Sequence, residues 1–430
     1  MSTPLLIRGG RILDPAAGRD ETGDLYLSGG VTREGLSKEE LACAREIEAA
    51  GKVVCPGFID LRAHLREPGG GGRETIASGT RAAAAGGFTT LVCMPDVSPP
   101  ADNPGTIRYI QDAIAKNAVV HVLPAGCMTM ECEGHKLAPI GSLAQAGVVA
   151  VTDSPSSPAN NEIFKRTLQY AAMFGLPLFD LPRDPTLTAG AVAHEGAAAL
   201  RLGLPGWPRA AEELYVYRAV ALASEVGARV HLQSISSAGS VEILRRAKQR
   251  GVPVTADVTP HHLALTDDSL DGYDPNFKTN PPLREESDRR ALLAGLLDGT
   301  VDCVATSHEP CLDHEKDVEF DLAPFGVVGL ETALPVVLDA LVTKGPGELL
   351  DAVAVLSSRP AAALGLNKGN LKPGSPADVT VFDPEEVWTV SPETLESLSS
   401  NSPWLGEELR GRASHVVVAG EIVREPAPAS

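Results

Sequence analysis

The sequence predicts an α/β protein, a (β/α)8 TIM-like barrel with a small β-sandwich built from both termini. Residues 54–365 alternate short apolar runs with Ala-rich stretches, as expected when helices connect the strands of a parallel sheet. Residues 1–53 and 366–430 read as short β-rich runs broken by Gly and Pro. The expected organisation is therefore 1–53 and 366–430 as the two parts of the β-sandwich, and 54–365 as the barrel.

In chain order, Leu5–Ile7, Arg11–Leu13 and Leu25–Leu27 are strand candidates, separated by Gly9-Gly10, Asp14-Pro15 and Gly29-Gly30. Such residues favour turns because of their special backbone angles. The barrel region then gives strand and helix pairs: Thr89–Met94 with Thr106–Lys116, Val119–Pro124 with Ser142–Ala146, and Val148–Thr152 with Glu162–Met173. Further pairs are Arg229–Gln233 with Ser240–Gln249 and Val301–Ala305 with Gly329–Leu341. Asp378–Phe382, Trp388–Val390, His415–Val418 and Glu421–Val423 are the closing strands, with Ala419-Gly420 as a turn. Pro426–Ser430 reads as a loose tail. A doubly wound open sheet is the alternative, but no GxGxxG follows the first strand.

Hydrophobic residues make up 43 % and charged residues 22 % of the 430, an ordinary soluble composition. The formal net charge of −19 argues against nucleic acid and anionic membranes, since phosphates repel an acidic surface. No stretch of about 20 apolar residues suggests a membrane span. The N-terminus lacks a basic segment followed by an apolar run. The seven cysteines, Cys43, Cys55, Cys93, Cys127, Cys132, Cys303 and Cys311, form no CxxC pair. Free thiols and a cytoplasmic location are expected.

The run PGFIDLRAHLREPG, Pro56–Gly69, resembles the first-strand signature of the amidohydrolase superfamily, and its HLREPG ending resembles dihydroorotases. DPNFKTNPPLR (Asp274–Arg284), APFGVVGLETALP (Ala323–Pro335) and KGNLKPGSPADVTVFDP (Lys368–Pro384) resemble later segments of the same family, so the resemblance spans essentially the whole chain. It implies interconversion of dihydroorotate and carbamoyl aspartate. It also implies two divalent metals, usually zinc, at the C-terminal mouth of the barrel, activating a bridging hydroxide.

Six positions hold those metals in the class this chain resembles, and four are substituted here. The HxH on the first strand reads Arg62-Ala63-His64. The bridging Asp corresponds to Asp153. A stretch like LPVLLHAEDP reads LPLFDLPRDP, with Leu181 at the His. The last His of HxxHxS is Ser234, and the Asp of a TDHAPH-like motif, the general-base position, is Ser307. Asp180 and His231 lie at the wrong strand parity to replace the lost ligands. Guanidinium cannot ligate a cation, and His64 with Asp153 falls short of a zinc ligand set. No catalytic residue and no cofactor is therefore expected. The residues further suggest an ion pair between Arg62 and Asp153, with Asp60 nearby.

Arg66, Asn280, His308, Pro324 and Gly326 match substrate-recognition positions of dihydroorotases. Asp96 replaces the Asn of an MPNT motif and sets a negative charge against an anionic substrate. His261-His262, Cys303 and Cys311 are expected to be structural or supporting, Glu67 beside Arg66 a pocket position, and Glu315–Asp321 an exposed acidic loop. The resemblance points to a non-catalytic partner of aspartate carbamoyltransferase, within a homo- or hetero-oligomer. Two alternatives stand beside it: an active cyclic amidohydrolase with a mononuclear zinc, and a metal-free ligand sensor.

Overall fold

The computed structural model describes residues 3–426, so the tail expected at Pro426–Ser430 lies, beyond its first residue, outside the described residues. Eight strands form the barrel: Phe58–Ala63, Phe88–Cys93, His121–Gly126, Ala150–Val151, Leu178–Asp180, Val230–Leu232, Val254–Val258 and Cys303–Val304. They pair in parallel and in sequence order. A bridge from Ala63 to His308 nearly closes the ring. The helices that cover it begin where the sequence places capping residues. Asn103 accepts from the Gly105 and Thr106 amides, and Ser237 accepts from that of Ser240, satisfying N–H groups that the first helical turn leaves unpaired.

The β-sandwich is built from both ends of the chain. The strand Leu5–Asp14 pairs with Arg19–Ser28, Arg45–Glu48 and Val53–Pro56, and Val379–Thr389 joins it through Val53–Pro56. The two N-terminal runs expected as separate strands are one strand with a register shift between Ile7 and Gly10. A Cβ at Gly10 would stand 2.4 Å from Val54, so glycine permits the close approach that keeps the strand continuous. The expected runs at 378–382 and 388–390 likewise merge into Val379–Thr389. Lys38–Cys43 forms a helix that the strand-and-turn reading missed. Its signal was present as Ser37 and Glu40, which form a capping box.

Apolar burial joins these layers. Phe58, Leu91, Ile107, Leu143, Phe164, Val220, Leu244 and Leu296 belong to one large cluster between strands and helices. A second cluster, including Ile59, Leu61, Val92 and Phe179, reaches the helix Ser358–Leu364. Truncating Phe179 to Ala would cost about 3–5 kcal/mol, the usual penalty for emptying a buried aromatic position. No helix among the described residues is long and apolar enough to cross a membrane.

Candidate functional site

The six substituted or retained ligand positions share one end of the barrel. Arg62 is near the end of the first strand, and His64, Asp153, Leu181, Ser234 and Ser307 each follow a strand's C-terminal end. This is the face where parallel barrels place their functional groups. Arg62 is fully buried. Its Nη1 donates to Ser234 Oγ at 2.9 Å and Ser307 Oγ at 2.6 Å, and its Nε donates to Ser154 Oγ at 3.2 Å. Ser234 and Ser307 have φ of 51° and 52°, left-handed values that cost non-glycine residues energy and cluster at functional positions. The backbone thus retains turns that deliver side chains to the centre, where two of them now solvate a guanidinium.

Asp153 does not pair with Arg62, contrary to the sequence expectation. Its Oδ1 accepts from the Met128 and Thr129 amides, both at 3.0 Å, and its Oδ2 accepts from the Thr129 hydroxyl at 2.5 Å. The loop after the third strand captures this carboxylate. Burial pushes Asp153 up to about 7, against those hydrogen bonds. Asp60 is similarly raised by burial to about 7 and accepts from Thr306. The carboxylate that approaches Arg62 is Glu309, with Oε2 4.0 Å from Nη2.

Neither neighbouring candidate replaces a lost ligand. Asp180 accepts from Ser157 at 2.6 Å and meets Arg218 at 3.4 Å. The His231 nitrogens are engaged by Thr255 at 2.8 Å and Asp257 at 2.9 Å. Leu181 is buried and offers no ligand atom.

On the substrate side, Asp96 bridges His64 and Arg66. Its Oδ1 is 2.7 Å from His64 Nδ1 and its Oδ2 is 2.5 Å from Arg66 Nη1. Burial alone would raise Asp96, but His64 and Arg66 outweigh it and its pKa falls below the usual range. Arg66 also donates to Glu309 Oε1 at 3.3 Å. Asn280 is buried with its Oδ1 unpartnered among the described residues.

Other expected pocket positions have protein partners of their own. His308 faces Glu74 at 3.2 Å, while its Nδ1 accepts from the Gly329 amide; both ring nitrogens serve packing. Pro324 O accepts from Lys316, and Gly326 O accepts from Asn401. Gly326 has φ of 124°, and a Cβ there would stand 2.8 Å from Glu309.

His261 and His262 sit on the short helix Pro260–Ala264, not on a strand; His262 is held by Thr259 and Pro282 O. Cys303 and Cys311 are buried free thiols. Glu67 accepts from the Ile76 amide at 2.9 Å. The acidic run 315–321 is not wholly exposed, because Lys316 and Phe320 are buried within it. The free-thiol expectation fails for one pair: Cys127 and Cys132 form a disulfide across the loop that grips Asp153.

Comparisons with known proteins add the lineage. A model described as Dihydro-orotase-like matches residues 51–240, and one described as Amidohydrolase family matches 342–424. A dihydroorotase of Pelotomaculum thermopropionicum is 46 % identical over 421 residues, covering 98 % of each chain. One of Trichlorobacter lovleyi is 45 % identical over 420 residues, covering 97 % of this chain and 99 % of that protein.

The chain belongs to the dihydroorotase family. In fold it is also similar to an L-hydantoinase from Arthrobacter aurescens, with a TM-score of 0.87, 23 % identity, and coverage of 100 % of this chain and 98 % of that one.

The metal pair implied by a dihydroorotase does not fit the residues present. Zinc takes three or four protein ligands. Here Arg62 lies among the ligand positions, Leu181 cannot ligate, and the Ser234 and Ser307 hydroxyls accept from Arg62. Asp153 is held by Thr129 and Met128. One imidazole nitrogen, His64 Nε2, is buried without a partner among the described residues.

The sequence reading also overlooked three contributors. Glu309 adjoins His308 and is the acidic group nearest the guanidinium. Thr129 comes from a loop 24 positions before Asp153, so no local motif reveals it. Arg183 stands where the quoted family stretch has Glu, a charge reversal visible in LPLFDLPRDP.

Proposed function

We propose that this chain is a non-catalytic dihydroorotase-family protein of pyrimidine biosynthesis, acting as an assembly partner of aspartate carbamoyltransferase. The observation that carries the loss of catalysis is the placement of Arg62, buried and hydrogen-bonded to Ser154, Ser234 and Ser307. A permanently charged guanidinium repels the cations that the reaction requires. The partner follows from the resemblance to family members that assist the carbamoyltransferase without turnover.

Two measurements test this reading. The purified chain should neither cyclise carbamoyl aspartate nor hydrolyse dihydroorotate. Mixed with the carbamoyltransferase from the same organism, it should elute as one complex in size-exclusion chromatography. Turnover would refute the first part, and separate elution across salt and concentration would refute the second.

A second reading is favoured by the relatives, which carry the name dihydroorotase at 43–46 % identity. It makes the chain an active amidohydrolase with a mononuclear zinc on His64 and Asp153. It requires Asp153 to leave Thr129 and a third ligand to replace Ser234 or Ser307.

A further inference from the structure

Three loops at the C-terminal end of the barrel carry apolar side chains into solvent. Leu200 is 86 % exposed, Leu322 71 %, Tyr273 45 % and Val318 40 %. Leu200 lies on the helix Ala197–Leu202, after the strand Leu178–Asp180. Tyr273 comes after the strand Val254–Val258, and Val318 and Leu322 come after Cys303–Val304. Scattered single apolar residues are ordinary on a protein surface, but these four rise from segments fastened to one another.

Beneath them Val192, Ala199, Leu270 and Phe320 share one buried cluster. Tyr273 Oη donates to Leu202 O at 2.9 Å, and Arg201 pairs with Asp271. Two buried lysines fix the third loop. Lys278 Nζ donates to Phe320 O at 2.8 Å and to Asp321 O at 3.0 Å, and Lys316 Nζ donates to Pro275 O at 2.9 Å. Tyr273 has φ of 53°, a left-handed value that is unfavourable for a bulky residue. The strained backbone here displays an aromatic ring to water rather than burying it.

The apolar residues are edged with acid. Asp268, Asp271 and Asp274 flank Tyr273, while Asp317, Glu319 and Asp321 alternate with Val318 and Leu322, and all six are exposed. Arg201 meets Asp271 and lies 4.0 Å from Asp268. Asp274, Asp317, Glu319 and Asp321 form no ion pair among the described residues. Lys278 and Lys316 lie below this surface and face backbone carbonyls. The same patch of a second copy would set carboxylate against carboxylate, which is disfavoured across an interface. Phosphate-bearing surfaces meet the same repulsion.

We propose that this rim is the docking surface for a protein partner whose contact patch is apolar at its centre and edged with lysine and arginine. Tyr273 and Leu322 anchor the contact, and Asp274, Asp317, Glu319 and Asp321 form its charged edge. Aromatic anchors within a polar rim are the usual anatomy of such a contact. A barrel that turns over substrate must keep this face open, whereas a barrel without a metal centre can be covered there. The inference rests on the assembly-partner reading above, and adds where the contact is made and what the partner's surface carries.

The test is calorimetric titration of the full-length chain with purified aspartate carbamoyltransferase of the same organism, in about 50 and about 300 mM sodium chloride, which span strong and weak screening. Wild-type binding should weaken as salt rises. Leu322→Glu should weaken binding about thirtyfold, the loss expected at an anchor residue. The double variant Asp317→Lys/Glu319→Lys should weaken it about tenfold at the lower salt and flatten the salt dependence. Leu214→Glu, at an exposed position of the helix Ala210–Val226, should leave affinity unchanged. All the substituted side chains are exposed, so the variants should melt with the wild type.

A complex of wild-type affinity in both rim variants would overturn the docking surface while leaving the assembly-partner reading standing. Loss of affinity in Leu214→Glu equal to that in Leu322→Glu would also overturn it. Absence of a wild-type complex at either salt concentration would overturn the assembly-partner reading and the docking surface with it.

Discussion

The carboxylate of Asp96 lies 2.5 Å from Arg66 Nη1, where the family's pattern leads one to expect the arginine to meet a substrate carboxylate. The chain therefore supplies its own anion to this arginine, and the same carboxylate orients His64 through Nδ1. Occupation of Arg66 from within should disfavour dihydroorotate, because an incoming carboxylate must compete with a fixed one.

Asp96→Asn should reverse that preference. The wild-type melting temperature should be unmoved by millimolar dihydroorotate, whereas the variant should be stabilised by it, since a ligand that binds only the folded state raises its stability. The variant itself should be less stable by about 3 kcal/mol in urea unfolding, the lower end of the range for breaking a buried ion pair. Equal ligand response in the two proteins would contradict internal competition.

Arg62→Met tests the guanidinium as a structural centre. It strands three serine hydroxyls and removes the cation facing Glu309. Urea denaturation should show a loss of about 3 kcal/mol. A change below about 0.5 kcal/mol, the scale of a neutral surface substitution, would show that the network contributes little.

The fold was legible because its signals are local and repeated. Apolar runs such as Phe88–Cys93 and caps such as Asn103 are read without knowing what lies across the barrel. Ligand positions were legible as chemistry, since Arg62 and Leu181 offer no ligating atom and Ser234 and Ser307 replace an imidazole and a carboxylate with weak hydroxyl donors. The partners were not legible in the same way. Asp153 was assigned to Arg62 on grounds of charge, but Thr129 and two backbone amides reach it first. His308 was assigned to the pocket by motif, and the motif gave no sign of its partner Glu74, far away in sequence. Such competition between nearby hydrogen-bonding groups is settled by tertiary geometry.

The Cys127–Cys132 bridge makes a countable prediction. Denatured without reductant, the protein should titrate five thiols per chain, and seven after reduction. Cys132→Ser should reduce stability by about 2 kcal/mol, as expected for opening a short cross-linked loop. Seven thiols before reduction would contradict the bridge.

Glu331 should govern part of the pH dependence. Burial raises its pKa from 4.5 to about 8, against hydrogen bonds from the Glu396 and Ser397 amides. Between those values the folded chain holds a proton that the unfolded chain has released, so this group's contribution makes stability fall as pH rises through the window. Glu331→Gln removes that dependence. Relative to wild type, the variant should gain on the order of a few kcal/mol between pH 5 and 8.5 in urea unfolding. Parallel pH profiles would exclude the effect.

Metal content tests the central claim most directly. Protein purified without chelator and analysed by inductively coupled plasma mass spectrometry should contain far less than one zinc per chain, because Arg62 and its three serines occupy the place of a dinuclear centre. Two tightly bound zinc ions per chain would contradict that account.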